Sequence, residues 1–224
     1  MTQSFKHAII ACHPEKKSFT LSVAERYAEA VEAHGHEVVI RDLYRNRFKP
    51  VLGARERLGT PAPDVVQEWG QLGKVDVYVL VYPIWFGTPP AMLKGYIDRV
   101  FGAGLARGQG GEGGQREMLA GKRLVSLTSS GSMRAWLNEK GVLMSLHNLY
   151  DRYLADVFGF TETHRYHFDA ITDGLPERDV RMHLHDVEKA ARDVMARMTI
   201  CSQGESNPPT ADQGSKGAFQ TGSS

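Results

Sequence analysis

Cysteine is scarce in this chain. Only Cys12 and Cys201 occur in 224 residues, and they lack metal-ligand spacing. A disulfide framework or zinc site is therefore not expected, and a reducing compartment, the cytoplasm, is. Long apolar runs are also missing: no stretch approaches ~18 uninterrupted apolar residues, so no membrane span is expected. The first apolar run, Ala8–Cys12, is too short for the core of a secretory signal. Charge is nearly balanced, with 27 Lys+Arg against 26 Asp+Glu and a net charge of +1. That leaves no basic field for a nucleic-acid partner and no strongly acidic surface. Internal repeats are absent.

Several motifs fail on inspection. Gly121-Lys122 lacks the upstream glycine and the Ser/Thr of a phosphate-binding loop, and Ser130-Gly131 is not a nucleophile elbow. The glycines at 102, 104 and 108 approach a dinucleotide fingerprint, but the third is displaced and the run follows a helix rather than a strand. His164 and His167 lie three apart in a strand pattern and point to opposite faces. His183 and His185, two apart on a helix, do not share a face. No metal site is expected.

What remains is an ordinary globular composition, 42% hydrophobic and 24% charged. One domain is expected over residues 1–200. The Ser-, Gly-, Pro-, Gln- and Thr-rich segment 201–224 has too little to bury and is expected to be a disordered tail. Within the domain, strand and helix patterns alternate. Strands are expected at His7–Cys12, Glu37–Arg41, Val75–Val81, Lys122–Thr128 and Thr163–Phe168. Helices are expected at Ser18–Ala33, Val65–Leu72 with Asp64 as its cap, Pro90–Phe101, Val142–Val157 and Pro176–Met198. Residues 44–63 read as an irregular connection, and Gly102–Gly114, with seven glycines, as a flexible loop. This alternation implies a doubly wound parallel sheet. Five strands suit the flavodoxin-like order 2-1-3-4-5, whose ligand crevice lies beyond the C-terminal ends of strands 1 and 3.

Those two ends carry the informative residues. Strand 1 leads through His13 to Ser18, Phe19 and Thr20 at a helix start. Unpaired N–H groups and the helix dipole there favour a phosphate, while Ser18 or Thr20 also suits a simple N-cap. Strand 3 leads into Tyr82-Pro83-Ile84-Trp85-Phe86-Gly87-Thr88-Pro89-Pro90, two aromatics followed by a proline-started helix. Together these ends suggest a phosphate-bearing planar aromatic ligand.

The chain resembles the flavodoxin-like NAD(P)H:quinone oxidoreductase family, which includes mammalian DT-diaphorases, bacterial modulators of drug activity and ancillary quinone reductases of potassium efflux systems. The resemblance covers about residues 5–195. Its motifs are His13 with Ser18-Phe19-Thr20, Asp42-Leu43-Tyr44 with Phe48-Lys49-Pro50, and the long run Tyr82–Phe101. It implies that His13, Ser18, Phe19 and Thr20 hold the flavin phosphate or pyrophosphate. Pro83, Ile84, Trp85 and Phe86 would line the isoalloxazine ring, and Thr128, Ser129, Ser130 and Gly131 would close its other side. Arg181 would meet the adenine of FAD, which favours FAD over FMN. NAD(P)H would be the co-substrate, a quinone or an azo or nitro compound the acceptor, with ping-pong alternation in one cleft. Trp136, Leu143, Met144 and Leu146 suit the core; the resemblance implies a homodimer in which the corresponding region contributes to the interface that completes each substrate pocket.

The chain departs from the family in two places. The tyrosine and histidine implicated in hydride transfer in the mammalian members are replaced by Arg134 and, approximately, Lys140. Arg134 is thus the candidate catalytic residue, either a cation near the pyrimidine end of the ring that stabilises its anionic reduced form or a solvent-facing arginine at a helix start. An acidic residue that helps hold adenine falls near Gly104 here. The rival readings are a flavodoxin-type electron carrier and a flavin-binding regulatory subunit of a transporter.

Overall fold

The computed structural model describes residues 4–102 and 119–204. Its strands are β1 (Lys6–Ala11), β2 (Glu37–Asp42), β3 (Val77–Pro83), β4 (Arg123–Ser129) and β5 (Glu162–Phe168). All pair in parallel, in the expected order β2-β1-β3-β4-β5. Strand β3 lies two residues later than its apolar pattern suggests. Asp76 ends the pairing on one side: its carboxylate accepts from the Lys6 N–H at 2.9 Å. At the other end the strand continues through Tyr82 and Pro83. Proline has no N–H to offer, and the next one, on Ile84, donates to the Ser129 carbonyl at 2.7 Å.

Helix α1 (Phe19–Glu32) crosses from β1 to β2. The connection 44–63, irregular by composition, contains one short helix, α2 (Ala54–Arg57). Helix α3 (Pro63–Leu72) has Ala62 in the cap position, so Asp64 lies inside the first turn rather than capping it. Its carboxylate is taken up by the Arg99 guanidinium at 2.8 and 2.9 Å. Helix α4 (Ala91–Tyr96) runs on as a π-helical turn, Ile97–Phe101. After β4 come α5 (Arg134–Glu139) and α6 (Val142–Leu146), then a π-helical stretch His147–Arg152 and α7 (Tyr153–Phe158). The single helix expected over 142–157 is thus divided. Helix α8 (Glu177–Gly204) runs past both the expected helix end at Met198 and the expected domain boundary at 200. The loop expected over 102–114 falls mostly, and the tail beyond 204 entirely, outside the described residues.

Side chains alternate across the strands, so the sheet buries two faces. Ile9, Ala11, Val77, Val79 and Val81 meet Val23, Tyr27 and Val31 of α1 and Val187, Ala191 and Val194 of α8. Ile10, Tyr78, Leu80 and Tyr82 meet Val65, Leu93, Tyr96, Phe101 and Leu154 from α3, α4 and α7. Each such aliphatic side chain contributes about 1.5–3 kcal/mol on burial. With both faces covered, only the strand ends are open to a ligand. The order reverses between β1 and β3, so their C-terminal ends form the crevice. Among the described residues no helix is long and apolar enough to cross a membrane.

Candidate active site

A cleft of 410 Å³ opens at that reversal point, within the ~300–1,000 Å³ usual for a small-molecule site. It joins the loop after β1 (His13, Ser18, Phe19, Thr20), the end of β3 (Pro83, Ile84, Trp85) and the end of β4 (Ser129, Ser130, Gly131). Ten of the residues singled out from sequence therefore share one cavity.

At one end, α1 points its N-terminus into the cleft. Ser18 is its N-cap, with Oγ accepting from the Leu21 N–H at 3.3 Å. The cap reading of Ser18 thus holds. The first N–H groups of a helix have no intrahelical partner, and this 14-residue helix presents them beside Lys17, which also lines the cleft. Such a terminus favours an anion. His13 also lines the cleft, its ring 6.1 Å from that of Trp85 and inclined to it at 62°. The His13 Nδ1 accepts from the Glu15 N–H at 3.2 Å.

At the other end, β3 finishes in a tight hairpin. The Trp85 and Thr88 main chains exchange hydrogen bonds at 2.9 and 3.0 Å, with Phe86 at φ 49° and Gly87 at φ 81° between them. Two positive φ angles make a type I′ turn, which aims Phe86 away from the cleft into full exposure. Pro83, Ile84 and Trp85 line the cavity and Phe86 does not. A bulky aromatic in the left-handed region is uncommon and costs free energy.

The β4 end is held from below. Thr128 lies under the cleft floor rather than in it. Its Oγ1 is 3.0 Å from His167 Nδ1, and His167 Nε2 is 3.1 Å from Ser130 Oγ. Burial, then the nearby Arg134 charge, lowers the His167 pKa to about 4, so the imidazole is neutral at pH 7. A neutral ring donates through one nitrogen and accepts through the other. Ser130 Oγ also reaches the Ser132 carbonyl at 2.8 Å, and Thr128 Oγ1 the Tyr166 carbonyl at 3.2 Å. Either tautomer of His167 therefore satisfies both hydroxyls.

Besides Phe86 and Thr128, two more expected residues lie outside the cleft lining. Arg134 begins α5 and faces a second cavity; its guanidinium donates to the His167 carbonyl, and its N–H donates to Asp169 at 2.7 Å. Arg181 is exposed on α8 and pairs with Glu177 at 2.5 Å. The cleft-lining residue of that turn is Val180. Sequence reasoning missed Lys17, Glu15, the loop Ile171–Leu175 after β5, and His167. Asp173-Gly174 signalled a turn in that loop but not its place beside the cleft.

The donors fit a flavin. A helix N-terminus with Lys17 suits a phosphate, Trp85 forms a flat wall, and small residues at 129–131 permit close backbone approach. A side chain at Gly131 would stand 3.5 Å from the Ile171 carbonyl, on the cleft wall.

Residues 6–191 match the family described as flavodoxin-like fold. The chain is 30% identical over 199 residues to an uncharacterized NAD(P)H oxidoreductase of Haemophilus influenzae, covering 86% of this chain and 96% of that one. It is 31% identical over 146 residues to NAD(P)H dehydrogenase [quinone] 1 of Cavia porcellus, covering 55% of this chain but only 53% of that protein. Among solved structures, an NAD(P)H:quinone oxidoreductase from Methanothermobacter marburgensis superposes with a TM-score of 0.70 at 25% identity, covering 86% of this chain and 98% of that one. The protein belongs to the flavodoxin-like family whose members include NAD(P)H oxidoreductases and NAD(P)H dehydrogenases [quinone].

Proposed function

We propose that the protein is a flavin-dependent NAD(P)H oxidoreductase that reduces quinones or related acceptors, azo and nitro compounds among them. The observation that carries this reading is the convergence of the α1 N-terminus, the Trp85 wall and the Ser129–Gly131 edge on one cleft. The balance is NAD(P)H + H⁺ + quinone giving NAD(P)⁺ + hydroquinone. The flavin, when bound, supplies the two-electron centre that accepts and donates hydride.

The chain's own residues position and shield. The α1 N-terminus, Ser18 and Lys17 hold the phosphate end. The Pro83–Trp85 main chain and the Trp85 ring hold one side of the ring system, and Ser129–Gly131 the other. Phe19, Ile84 and Leu175 exclude water, which strengthens each polar contact. His167 keeps Ser130 oriented without placing a charge beside the ring. FAD is the proposed form. Arg181 follows the cleft-lining Val180 and has only the exposed Glu177 to exchange for an adenine partner.

The protein acts as a homodimer. Phe86, Trp136, Met144, Leu149 and Tyr153 are exposed apolar side chains that a second copy would cover. A cytoplasmic location is consistent with the buried free thiol of Cys12.

Donor and acceptor take turns in the cleft. Initial rates with varied NADPH and varied quinone are expected to give parallel double-reciprocal lines, with a mass in solution of twice the 24.9 kDa chain. Intersecting lines would overturn the shared cleft, and absence of turnover with NADH and NADPH would overturn the activity.

A further inference from the structure

A second cavity of 480 Å³ lies behind the Ser129–Arg134 segment. Its polar lining is Arg134, Asn138, His147, Arg165 and His167, and its apolar wall is Leu143 and Met144. No carboxylate lines it. The two acidic groups nearby are already engaged. Asp151 takes the Arg165 guanidinium at 2.7 and 2.8 Å, the Ser126 hydroxyl at 3.0 Å and the His147 ring at 3.2 Å. Asp169 takes the Arg134 main-chain N–H at 2.7 Å. The Arg165 charge is thus matched and His167 is uncharged. The guanidinium of Arg134 donates to the His167 carbonyl and forms no ion pair among the described residues, although its charge is near enough to Asp169 to help lower the pKa of that carboxyl.

A planar cation with no direct ion-pair partner, beside an amide and a thioether wall, has a definite preference. Guanidinium binds planar or tetrahedral oxyanions with two parallel hydrogen bonds. Leu143 and Met144 suit an aromatic ring. The cavity adjoins the cleft, because Ser130 on the cleft side and His167 on the cavity side are hydrogen-bonded at 3.1 Å.

We infer that this cavity receives the anionic substituent of the electron acceptor, and that the preferred acceptors are aromatic acids: quinones or related compounds bearing a carboxylate or sulfonate. The inference rests on the reading of the cleft above and adds no redox step to it. Arg134 then selects the acceptor rather than serving the cofactor ring.

The test compares 1,4-naphthoquinone-2-sulfonate with 1,4-naphthoquinone on the flavin-loaded enzyme, wild type and Arg134→Gln. Because the two quinones differ in intrinsic reactivity, the quantity read is the change in their kcat/KM ratio. A charge-assisted bidentate contact corresponds to about 10–100-fold, so the ratio is expected to fall at least tenfold in Arg134→Gln, and less in Arg134→Lys. Redox-inert naphthalene-2-sulfonate, followed by calorimetry, is expected to bind the wild type and bind Arg134→Gln at least tenfold more weakly. An unchanged ratio and unchanged binding overturn the inference. So does a loss confined to the NADPH-over-NADH preference, which would assign the anion to the nucleotide phosphate. If no quinone of either charge is reduced, the activity reading fails, while the calorimetry still decides whether the cavity takes an aromatic anion.

Discussion

Gly95 lies directly against Pro50. A Cβ built on Gly95 would stand 2.5 Å from Pro50 Cα and close to its carbonyl oxygen. Helix α4 starts at the switch-point strand, and the 44–50 connection passes over it with no room for a side chain. The two residues come from motifs far apart in the chain, and their contact seats the last turn of α4 against that connection. Alanine normally stabilises a helix over glycine by about 1 kcal/mol. Here the contact is with backbone, which cannot rotate away, so Gly95→Ala is expected to destabilise by at least ~1–3 kcal/mol. Urea unfolding of the variant checks this; a gain in stability would mean the connection yields freely.

The same connection is held by Arg99. Its guanidinium meets Glu56 at 2.9 Å, Asp64 at 2.8 Å and the Lys49 carbonyl, and sits 5.3 Å from the centre of the Phe48 ring. Arg99 and Glu56 are both buried, so Arg99→Ala leaves a carboxylate unpaired in the interior. The expected loss is about 3–5 kcal/mol. Adding Glu56→Gln is expected to return part of it, since the orphaned charge is then gone. A double-mutant cycle by chemical denaturation measures the coupling, and strict additivity would contradict it.

Much of this fold is legible in the chain because β1, β3 and β4 carry short apolar runs, β2 carries the β-branched Val38-Val39-Ile40, and turn residues stand between the elements. The cleft loops are legible too, since each follows a strand end that the topology brings to one edge. Other features depended on information that no local pattern carries. Gly87 signals a turn, but nothing marks Phe86 as the residue that must take a positive φ and turn outward. Strand β5 is only half buried over most of its length, so the loop after it gave little reason to be placed at the cleft. The role of His167 depends on register, which sets it opposite Thr128. Arg181 is one residue, about 100° of helix, away from the cleft-facing Val180.

Two buried histidines contribute to the response to acid, beside the carboxyls of Asp64, Glu162, Asp169 and Glu188, whose pKa values are also lowered. Burial, then the His36 charge, lowers His7 to about 3, and burial, then the Arg134 charge, lowers His167 to about 4, from 6.5. Between those values and 6.5 the unfolded chain binds more protons than the fold, so stability rises with pH. Their contribution is complete above about pH 6.5 and is lost as pH falls toward 4 and then 3, at about 1.4 kcal/mol per pH unit for each histidine. His7→Asn is expected to flatten the wild-type slope by that amount between pH 4 and 6, by denaturant titration at each pH. An identical slope would show that His7 is protonated in the fold.

Lys17 and Ser18 separate binding from folding at the α1 N-terminus. Lys17 is exposed, lines the cleft and forms no ion pair among the described residues; under the proposed function, Lys17→Ala is expected to weaken flavin retention several-fold while leaving the apoprotein within ~0.5 kcal/mol of wild type. Ser18→Ala removes the cap of α1 and is expected to cost about 1 kcal/mol as well. Flavin fluorescence titration beside urea unfolding distinguishes the two. Equal flavin affinity in both variants and wild type would move the phosphate away from α1.

The most direct test of the central claim is the visible absorption spectrum of the purified protein before and after anaerobic addition of NADPH. Flavin bands are expected, present on isolation or after reconstitution with FAD, that bleach to the two-electron reduced form. A colourless protein that neither FAD nor FMN restores would contradict that claim, because the cleft between Ser18 and Trp85 would then serve some other ligand.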